Sequence, residues 1–192
     1  MLDNPSSMPQ SEKTNSTHKT KVLALIAAFS AANVVFRVAL TGGPPNVKPI
    51  AFLVIVAGVV GGPVSGFAVG WLSMTISDLV FGAGVWTIET SSGMAIVGLL
   101  AGLLWHHLRS FNRWKMALGG FLLTMLFDVG TSVVDALIFN YPWWTALLAL
   151  YVPFISGGVS PYPFGLAHEL TTAVLLGTIG PSLIARIRKV YQ

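Results

Sequence analysis

The chain has 192 residues, of which 54% are hydrophobic and only 9% are charged, and its mean hydropathy is +0.73. Soluble domains carry about 25% charged residues, so this composition excludes a water-soluble domain and predicts an integral membrane protein. There is no cysteine, which excludes disulfides, thiolate metal sites and thiol nucleophiles. The sequence also lacks a GxxxxGKS or GxxxxGKT loop, so ATP-driven transport would need a separate ATPase subunit.

The first twenty residues are polar and show no apolar periodicity. Such a segment buries too little apolar surface to offset the entropy that folding costs. We therefore predict a disordered cytoplasmic tail over residues 1–20 and one membrane domain over residues 21–192. The apolar stretch at residues 22–40 is long for the core of a signal peptide, and we interpret it as an uncleaved first helix.

The apolar stretch from Ile50 to Phe81 is too long for one span. As a single helix it would run roughly 48 Å against a hydrocarbon core of about 30 Å, and Gly61-Gly62-Pro63 interrupts it. Proline suits the first turn of a new helix and glycine tolerates the turn, so the sequence predicts two spans, at residues 49–61 and 64–81. Further apolar segments follow at residues 91–105, 117–139, 143–157 and 163–185.

Most basic residues lie in three clusters: in the tail, in the loop near residues 109–115 and near residues 186–189. Lys and Arg in short loops favour the cytoplasmic side, so all three clusters should share that side. This requires six spans and makes residues 143–157 a re-entrant or interfacial helix. The predicted fold is an all-α integral membrane protein with six transmembrane helices, a short extra helix before the last span, and both termini in the cytoplasm.

In this topology the ionisable residues within the membrane and beyond its outer edge converge on the outer half. A charged side chain at mid-membrane costs about 2.5–3.5 kcal/mol on insertion scales, so such groups face a cavity or each other. The outer loops add tryptophans and tyrosines, and aromatic faces with a few polar anchors are typical of a small-molecule site. The structural alternative is an ion-pair set, such as Arg37 with Asp78, that locks helices together. We predict a substrate site formed by Arg37, Asn46, Lys48, Asp78, Trp86, Glu89, His168 and Glu169, with Trp86 and Glu89 in the second outer loop.

Small residues mark two helix faces. A nearly flat face of the first helix lets another helix approach closely, and this helix belongs either to the same molecule or to a partner subunit. A glycine series at positions 58, 62, 66 and 70 is predicted to pack the second and third helices against each other. The flat face of the first helix consists of Ala24, Ala27, Ala28, Ala31 and Ala32.

These segments together resemble the substrate-binding S components of energy-coupling factor (ECF) vitamin transporters. The resemblance covers about residues 22–189 and rests on ALIAAFSAA, FRVAL, PNVKP, AGVVGGPVSGFAVG, GAGVWT, GLLAGLLW and PFGLAH, in this order. The PNVKP and GAGVWT segments look most like the cobalamin-type subgroup. On this basis we rank cobalamin or a corrinoid first as the substrate, then riboflavin or another B vitamin, then thiamine or biotin.

The resemblance implies a multi-pass protein of the prokaryotic plasma membrane that captures a vitamin at its outer face and is not itself an enzyme. It implies no prosthetic group, because the vitamin is the substrate and ATP is used by two cytoplasmic ATPase subunits. A transmembrane coupling (T) subunit would contact the alanine face, and the S component would tip in the bilayer to present its pocket inward. The positions matched to the substrate site are Arg37, Asn46, Trp86 and His168.

Two other functions remain open. A stand-alone proton-coupled transporter would use Asp78, Asp128 or Glu169 as a relay and would work without a partner. An intramembrane hydrolase is weaker, because Thr172 replaces the second histidine of HExxH and no GxSxG sequence is present. We predict no metal site, since an interfacial role explains the adjacent His106 and His107.

Overall fold

The structure is a computed structural model that describes residues 10–152 and 164–191. These ranges contain eight helices and no strand. The helices are α1 (Gln10–Ala39), α2 (Ile50–Gly61), α3 (Pro63–Phe81), α4 (Val85–Trp105), α5 (Arg113–Ile138), α6 (Trp143–Tyr151), α7 (Gly165–Thr178) and α8 (Gly180–Tyr191). In the described ranges, α1, α3, α4 and α5 are long and apolar enough to cross a membrane, and the bent pair α7 and α8 adds a fifth candidate. The chain is therefore an all-helical, multi-pass membrane protein, while the prediction of six spans is not confirmed.

The first helix begins earlier than the sequence predicted. Residues 10–20, which we expected to be disordered, form the first turns of α1, and residues 1–9 lie outside the described part of the chain. Once a helix is nucleated, each added residue gains a hydrogen bond, so an apolar span can extend into a polar segment. At 1.5 Å per residue the helix is roughly 45 Å long, which exceeds the thickness of about 30 Å of a hydrocarbon core.

The short helix α2 lies at the centre of the bundle. It begins after Pro49 and ends at Gly61, and the predicted turn is confirmed because Gly62 adopts φ 88° and Pro63 opens α3. Ten of its twelve residues are buried, and it contacts α1, α3, α4, α5, α7 and α8. A helix that is apolar on every side is stable when protein covers it. Its length of roughly 18 Å therefore need not match the bilayer.

Close packing of α3 and α4 depends on glycine. A Cβ atom added to Gly66 would collide with the backbone of Gly98, and one added to Gly98 would collide with Gly66. Gly70 faces the carbonyl of Met94 in the same way. Gly66 also meets Gly58 of α2, as predicted, but Gly58 too lies against Gly98. The glycine series therefore packs α2 and α3 chiefly against α4, a partner that the sequence analysis did not assign.

Helix α4 begins at Val85 rather than at residue 91, so Trp86 and Glu89 lie in helix and not in a loop. The N-terminus is closed by Gly84 and Thr87: the Gly84 N–H donates to Thr87 Oγ1 at 3.1 Å, and the Thr87 N–H donates to the Gly84 carbonyl at 3.0 Å. The polar run continues the helix because its hydroxyls donate to carbonyls one turn back, as Thr90 does to Trp86 at 2.9 Å.

The predicted last span at residues 163–185 is broken. Helices α7 and α8 meet at a bend of 60°, where Pro181 follows Gly180 and removes a backbone donor. Helix α8 is amphipathic: Ile184 is buried, while Arg186 and Lys189 are exposed. Helix α6, which precedes α7, has nine residues, and most of the remaining predicted segment up to residue 157 lies outside the described residues.

Candidate functional site

A cavity of about 240 Å³, which we call the polar cavity, lies at the end of the bundle where α1 ends and α2 and α7 begin. We call this end of the bundle the site end. Four of the eight predicted substrate-site residues line it: Arg37, Asn46, Lys48 and His168. The other lining residues are Ile50, Met74, Met94, Phe127 and Asp128. The cavity therefore combines charged, amide and imidazole groups with apolar walls.

Arg37 reaches the cavity from the last turn of α1. Its guanidinium forms an ion pair with Asp78 of α3 and donates to Ser77 Oγ, and it lies 5.6 Å from the centroid of the Phe81 ring. Asp78 also accepts a hydrogen bond from Thr90 of α4 at 3.4 Å. This is the structural ion pair raised as an alternative for Asp78, which is buried and does not line the cavity. Asp78 fixes the position of Arg37 instead.

The second charged pair joins α5 to α7. His168 Nδ1 lies 3.0 Å and 3.2 Å from the two carboxylate oxygens of Asp128. Because an ionised carboxylate only accepts, Nδ1 carries the proton and Nε2 is the nitrogen left for another partner. The Phe127 ring packs edge-on against the imidazole, with centroids 5.9 Å apart. The pair thus presents an oriented imidazole to the cavity.

The loop between α1 and α2 closes one side of the cavity with Asn46 and Lys48. Asn46 adopts φ 59°, a left-handed conformation that asparagine tolerates better than most residues. Burial and the nearby Arg37 charge lower the pKa of Lys48 from its ordinary value. Both causes disfavour the charged form of Lys48, because its ammonium group would lie in a partly desolvated site near a second cation. The loop therefore brings a cation close to Arg37.

Besides Asp78, three other predicted residues do not line the polar cavity. Glu169 is buried and accepts a hydrogen bond from the Tyr151 hydroxyl at 2.7 Å, which ties α7 to α6. The Trp86 side chain is 42% exposed and packs over Gly84, where a Cβ atom would collide with its ring. Glu89 is 7% exposed, and neither carboxylate oxygen has a hydrogen-bond partner in the described residues.

Glu89 lines a larger, mostly apolar cavity of about 470 Å³ between α4 and α5. Phe127 lines this cavity as well as the polar cavity. Glu89 lies in the first turns of α4 and therefore lines this second cavity, and it does not line the polar cavity with Arg37. This separation was not predicted, because Glu89 was assigned to a loop that could have folded over the site.

The sequence analysis missed several lining residues of the polar cavity. Asp128 was considered as a relay residue of a proton-coupled transporter, and it was not included in the predicted site. Met74, Met94 and Phe127 carried no signal, since an apolar residue in a membrane helix has the same pattern whether it faces lipid, core or cavity. The Asp128 signal was sufficient to include it, because an intramembrane acid marks a functional position by default.

The alanine face of α1 is not covered by the rest of the described structure. Ala24, Ala27, Ala28 and Ala31 are exposed and Ala32 is half-buried. The buried side of α1 is formed instead by Leu25, Ser30 and Asn33, and Asn33 Nδ2 donates to Ser73 Oγ of α3 at 3.1 Å. Of the two alternatives for this face, packing within the described molecule is not observed.

Comparison with models of known protein families shows which family the chain belongs to. The model of the family described as "ECF-type riboflavin transporter, S component" matches residues 14–160, more than half of the chain. The chain belongs to this family. As an ECF S component it is the vitamin-binding subunit of a transporter, and in such transporters the vitamin is the substrate and ATP is used by partner ATPases.

The family match refines the resemblance seen in the sequence. The assignment to the S components is confirmed, whereas the cobalamin-type subgroup is not supported, because the matching model is of the riboflavin type. The family is a class of transporter subunits and not a class of enzymes. No curated protein and no solved structure matches this S component.

Proposed function

We propose that this S component captures riboflavin at its site end, from outside a prokaryotic cell, and delivers it inward. Delivery requires a T subunit and two ATPase subunits, against which the S component reorients in the plasma membrane. The observation that carries this proposal is the family match over residues 14–160. Riboflavin, ranked behind cobalamin on sequence grounds, becomes the first candidate.

The chemistry of the polar cavity fits a ligand of this kind. Riboflavin joins a flat ring system that has carbonyl and ring-nitrogen acceptors to a chain of hydroxyl groups. Arg37, Asn46 and Lys48 supply donors for the acceptors, and Asp128 with His168 can accept from or donate to hydroxyls. Met74, Met94 and Phe127 supply apolar, polarisable walls for the ring. Most of these groups are held in place by other residues, which lowers the entropy cost of binding.

The remaining predicted residues have supporting roles in this proposal. Asp78 positions Arg37, and Glu169 fixes α6 against α7 through Tyr151. Trp86 and Glu89 lie in the first turns of α4 at the same end of the bundle. For these two, contact with the substrate stays a prediction.

The distribution of charge supports an outward orientation of the site end. The basic clusters of the middle loop and the C-terminus lie at the opposite end of the bundle, where α4 ends and α5 begins and where α8 lies. By the positive-inside rule that end faces the cytoplasm. The polar cavity then opens toward the outer surface, where a nutrient arrives.

The test is riboflavin binding to the purified full-length chain in detergent, measured by the quenching of flavin fluorescence. We expect saturable binding that the His168→Gln substitution weakens about tenfold or more, because a charge-assisted hydrogen-bonding pair is worth roughly 1.5–3 kcal/mol. The control Arg113→Gln lies at the opposite end and should bind like the wild type. Cobalamin binding without riboflavin binding would contradict the assigned substrate.

A further inference from the structure

A second cavity, of about 300 Å³, lies at the opposite end of the bundle from the polar cavity. It is lined by His18 of α1, by His106, His107 and Arg109 at the end of α4, and by Arg188 of α8. We call it the basic cavity, since every ionisable residue that lines it is basic. In sequence, residues 105–112 and α8 contain no Asp or Glu, and Glu12 is the one acidic residue of α1.

Arg188 is fixed at the wall of this cavity. Its guanidinium donates to the carbonyls of Val59 at 2.9 Å and His106 at 2.8 Å, and also to that of Leu108. It lies 5.0 Å from the centroid of the Phe111 ring. The acceptors are neutral carbonyls at the C-terminal ends of α2 and α4. They accept hydrogen bonds from the guanidinium, and its positive charge interacts favourably with the negative ends of the two helix dipoles. These carbonyls do not supply a full negative charge, and within residues 10–152 and 164–191 no carboxylate forms an ion pair with Arg188.

The two adjacent histidines are also held in position. His106 Nδ1 donates to the carbonyl of Val59 at 3.1 Å, which leaves Nε2 as its second nitrogen. The His107 ring packs against it with the centroids 5.5 Å apart. His107 and Arg109 are exposed, so a ligand can reach them from outside the bundle. The cavity thus has a rigid inner wall and an accessible rim of donors.

We propose that the basic cavity binds a phosphate group, supplied either by the headgroup of an anionic phospholipid or by free phosphate. The Arg109 guanidinium matches the geometry of phosphate oxygens, and the exposed His107 imidazole adds a further donor. Convergent cations beside a low-dielectric wall also concentrate anions. Such a ligand would bridge α1, the end of α4 and α8, and so would hold the first turns of α1 against the rest of the bundle. This site goes beyond the proposed transport of riboflavin and does not depend on it.

Thermal unfolding of the full-length protein in an uncharged detergent tests this site with two probes. One is sodium phosphate, compared with sodium chloride at equal ionic strength, and the other is phosphatidylglycerol, compared with phosphatidylcholine. We expect at least one of these two probes, sodium phosphate or phosphatidylglycerol, to raise Tm in a saturable way. The double substitution His107→Gln, Arg109→Gln should raise the half-saturating concentration about tenfold, as expected for the loss of charge-assisted hydrogen bonds.

The matched control is Arg113→Gln, which removes an exposed cation from the same loop region without touching the cavity. It should leave the half-saturating concentration unchanged. Stabilisation by inorganic phosphate supports a free-anion site, and stabilisation by phosphatidylglycerol alone supports a lipid headgroup site. If neither sodium phosphate nor phosphatidylglycerol raises Tm, the proposal is overturned. An equal loss in Arg113→Gln would also overturn it, because attraction would then reflect general surface charge.

Discussion

The Arg37 and His168 side chains of the polar cavity are each positioned by a carboxylate partner. Arg37 is held by Asp78, and His168 is held by Asp128. A buried ion pair contributes little net stability by itself, but removing one partner leaves an uncompensated charge. The two pairs therefore fix donor positions at the cost of making each residue hard to replace alone.

Replacement of Asp78 by Asn should destabilise the protein more than loss of the pair as a whole. The single variant leaves the largely buried Arg37 cation without its carboxylate, and we expect a loss of about 3 kcal/mol. The double variant Arg37→Gln, Asp78→Asn removes both charges and should be less destabilised. Thermal unfolding in detergent measures both. A single variant as stable as the wild type would contradict the role given to Asp78.

Lys48 should leave a signature in the pH dependence of stability. Burial and Arg37 lower its pKa in the folded protein, below the value of 10.5 expected in the unfolded chain. Between these two values unfolding takes up a proton, so the contribution of Lys48 to stability rises as pH increases and is least favourable below the lowered pKa. The measurement is the Tm difference between the wild type and Lys48→Met from pH 7 to 11. A difference that does not change over this range would refute the shift.

The predictability of the site differs from residue to residue. Arg37, Asn46, Lys48 and His168 were found because polar residues at the ends of apolar spans need a structural or functional reason. Met74 and Phe127 could not be found, because their side chains are equally compatible with lipid, core or ligand. Glu89 was predicted to lie in a loop, because the polar residues around it are not typical of the start of an apolar helix. The structure shows that α4 begins at Val85 and that Glu89 lines a different cavity.

At the scale of helices, the sequence predicted the existence of most elements better than their ends and contacts. The Gly61-Gly62-Pro63 turn was clear, because glycine and proline have distinct backbone preferences. The bend between α7 and α8 was missed although Gly180-Pro181 marks it, since the apolar pattern continues through both helices. Which helix a glycine face packs against is decided by the tertiary fold, and the sequence spacing alone did not identify α4.

The crossing of α3 and α4 predicts opposite effects for two glycine substitutions. Gly98→Ala places a methyl group against the Gly66 backbone, and we expect a loss of about 1–3 kcal/mol from overpacking. Gly130→Ala lies within α5 and has open space around the added methyl group, so it should gain roughly 0.5–1 kcal/mol from reduced backbone entropy in the unfolded chain. Unfolding in detergent distinguishes them. Equal effects would contradict the crossing geometry.

At the scale of the whole molecule, the exposed alanine face separates binding from transport. Its five alanines lie on a different side of α1 from the contacts with α3, and the polar cavity lies at the C-terminal end of the same helix. If this face docks the T subunit, as we propose from the family resemblance, its replacement should not alter the cavity.

The substitution Ala28→Leu should therefore leave riboflavin affinity within about twofold of the wild type and reduce uptake more than tenfold in cells that contain the T and ATPase subunits. A branched side chain prevents close approach of a partner helix. Leu118→Trp, at an exposed position of α5 rather than α1, is the control and should retain uptake. Undiminished uptake by Ala28→Leu would argue for a stand-alone transporter, as would transport by the isolated chain in proteoliposomes.

Other helices of the chain cover most of α2 and exclude solvent from it, so its amide hydrogens should exchange later than those of the other helices. With ten of twelve residues buried and six neighbouring helices, its amides become accessible to deuterium only when the bundle opens globally. Mass spectrometry should find residues 51–60 among the last to acquire the isotope, well after the first turns of α1. Because other helices cover most of α2, nanodiscs built from shorter or longer acyl chains should leave its isotope uptake unchanged.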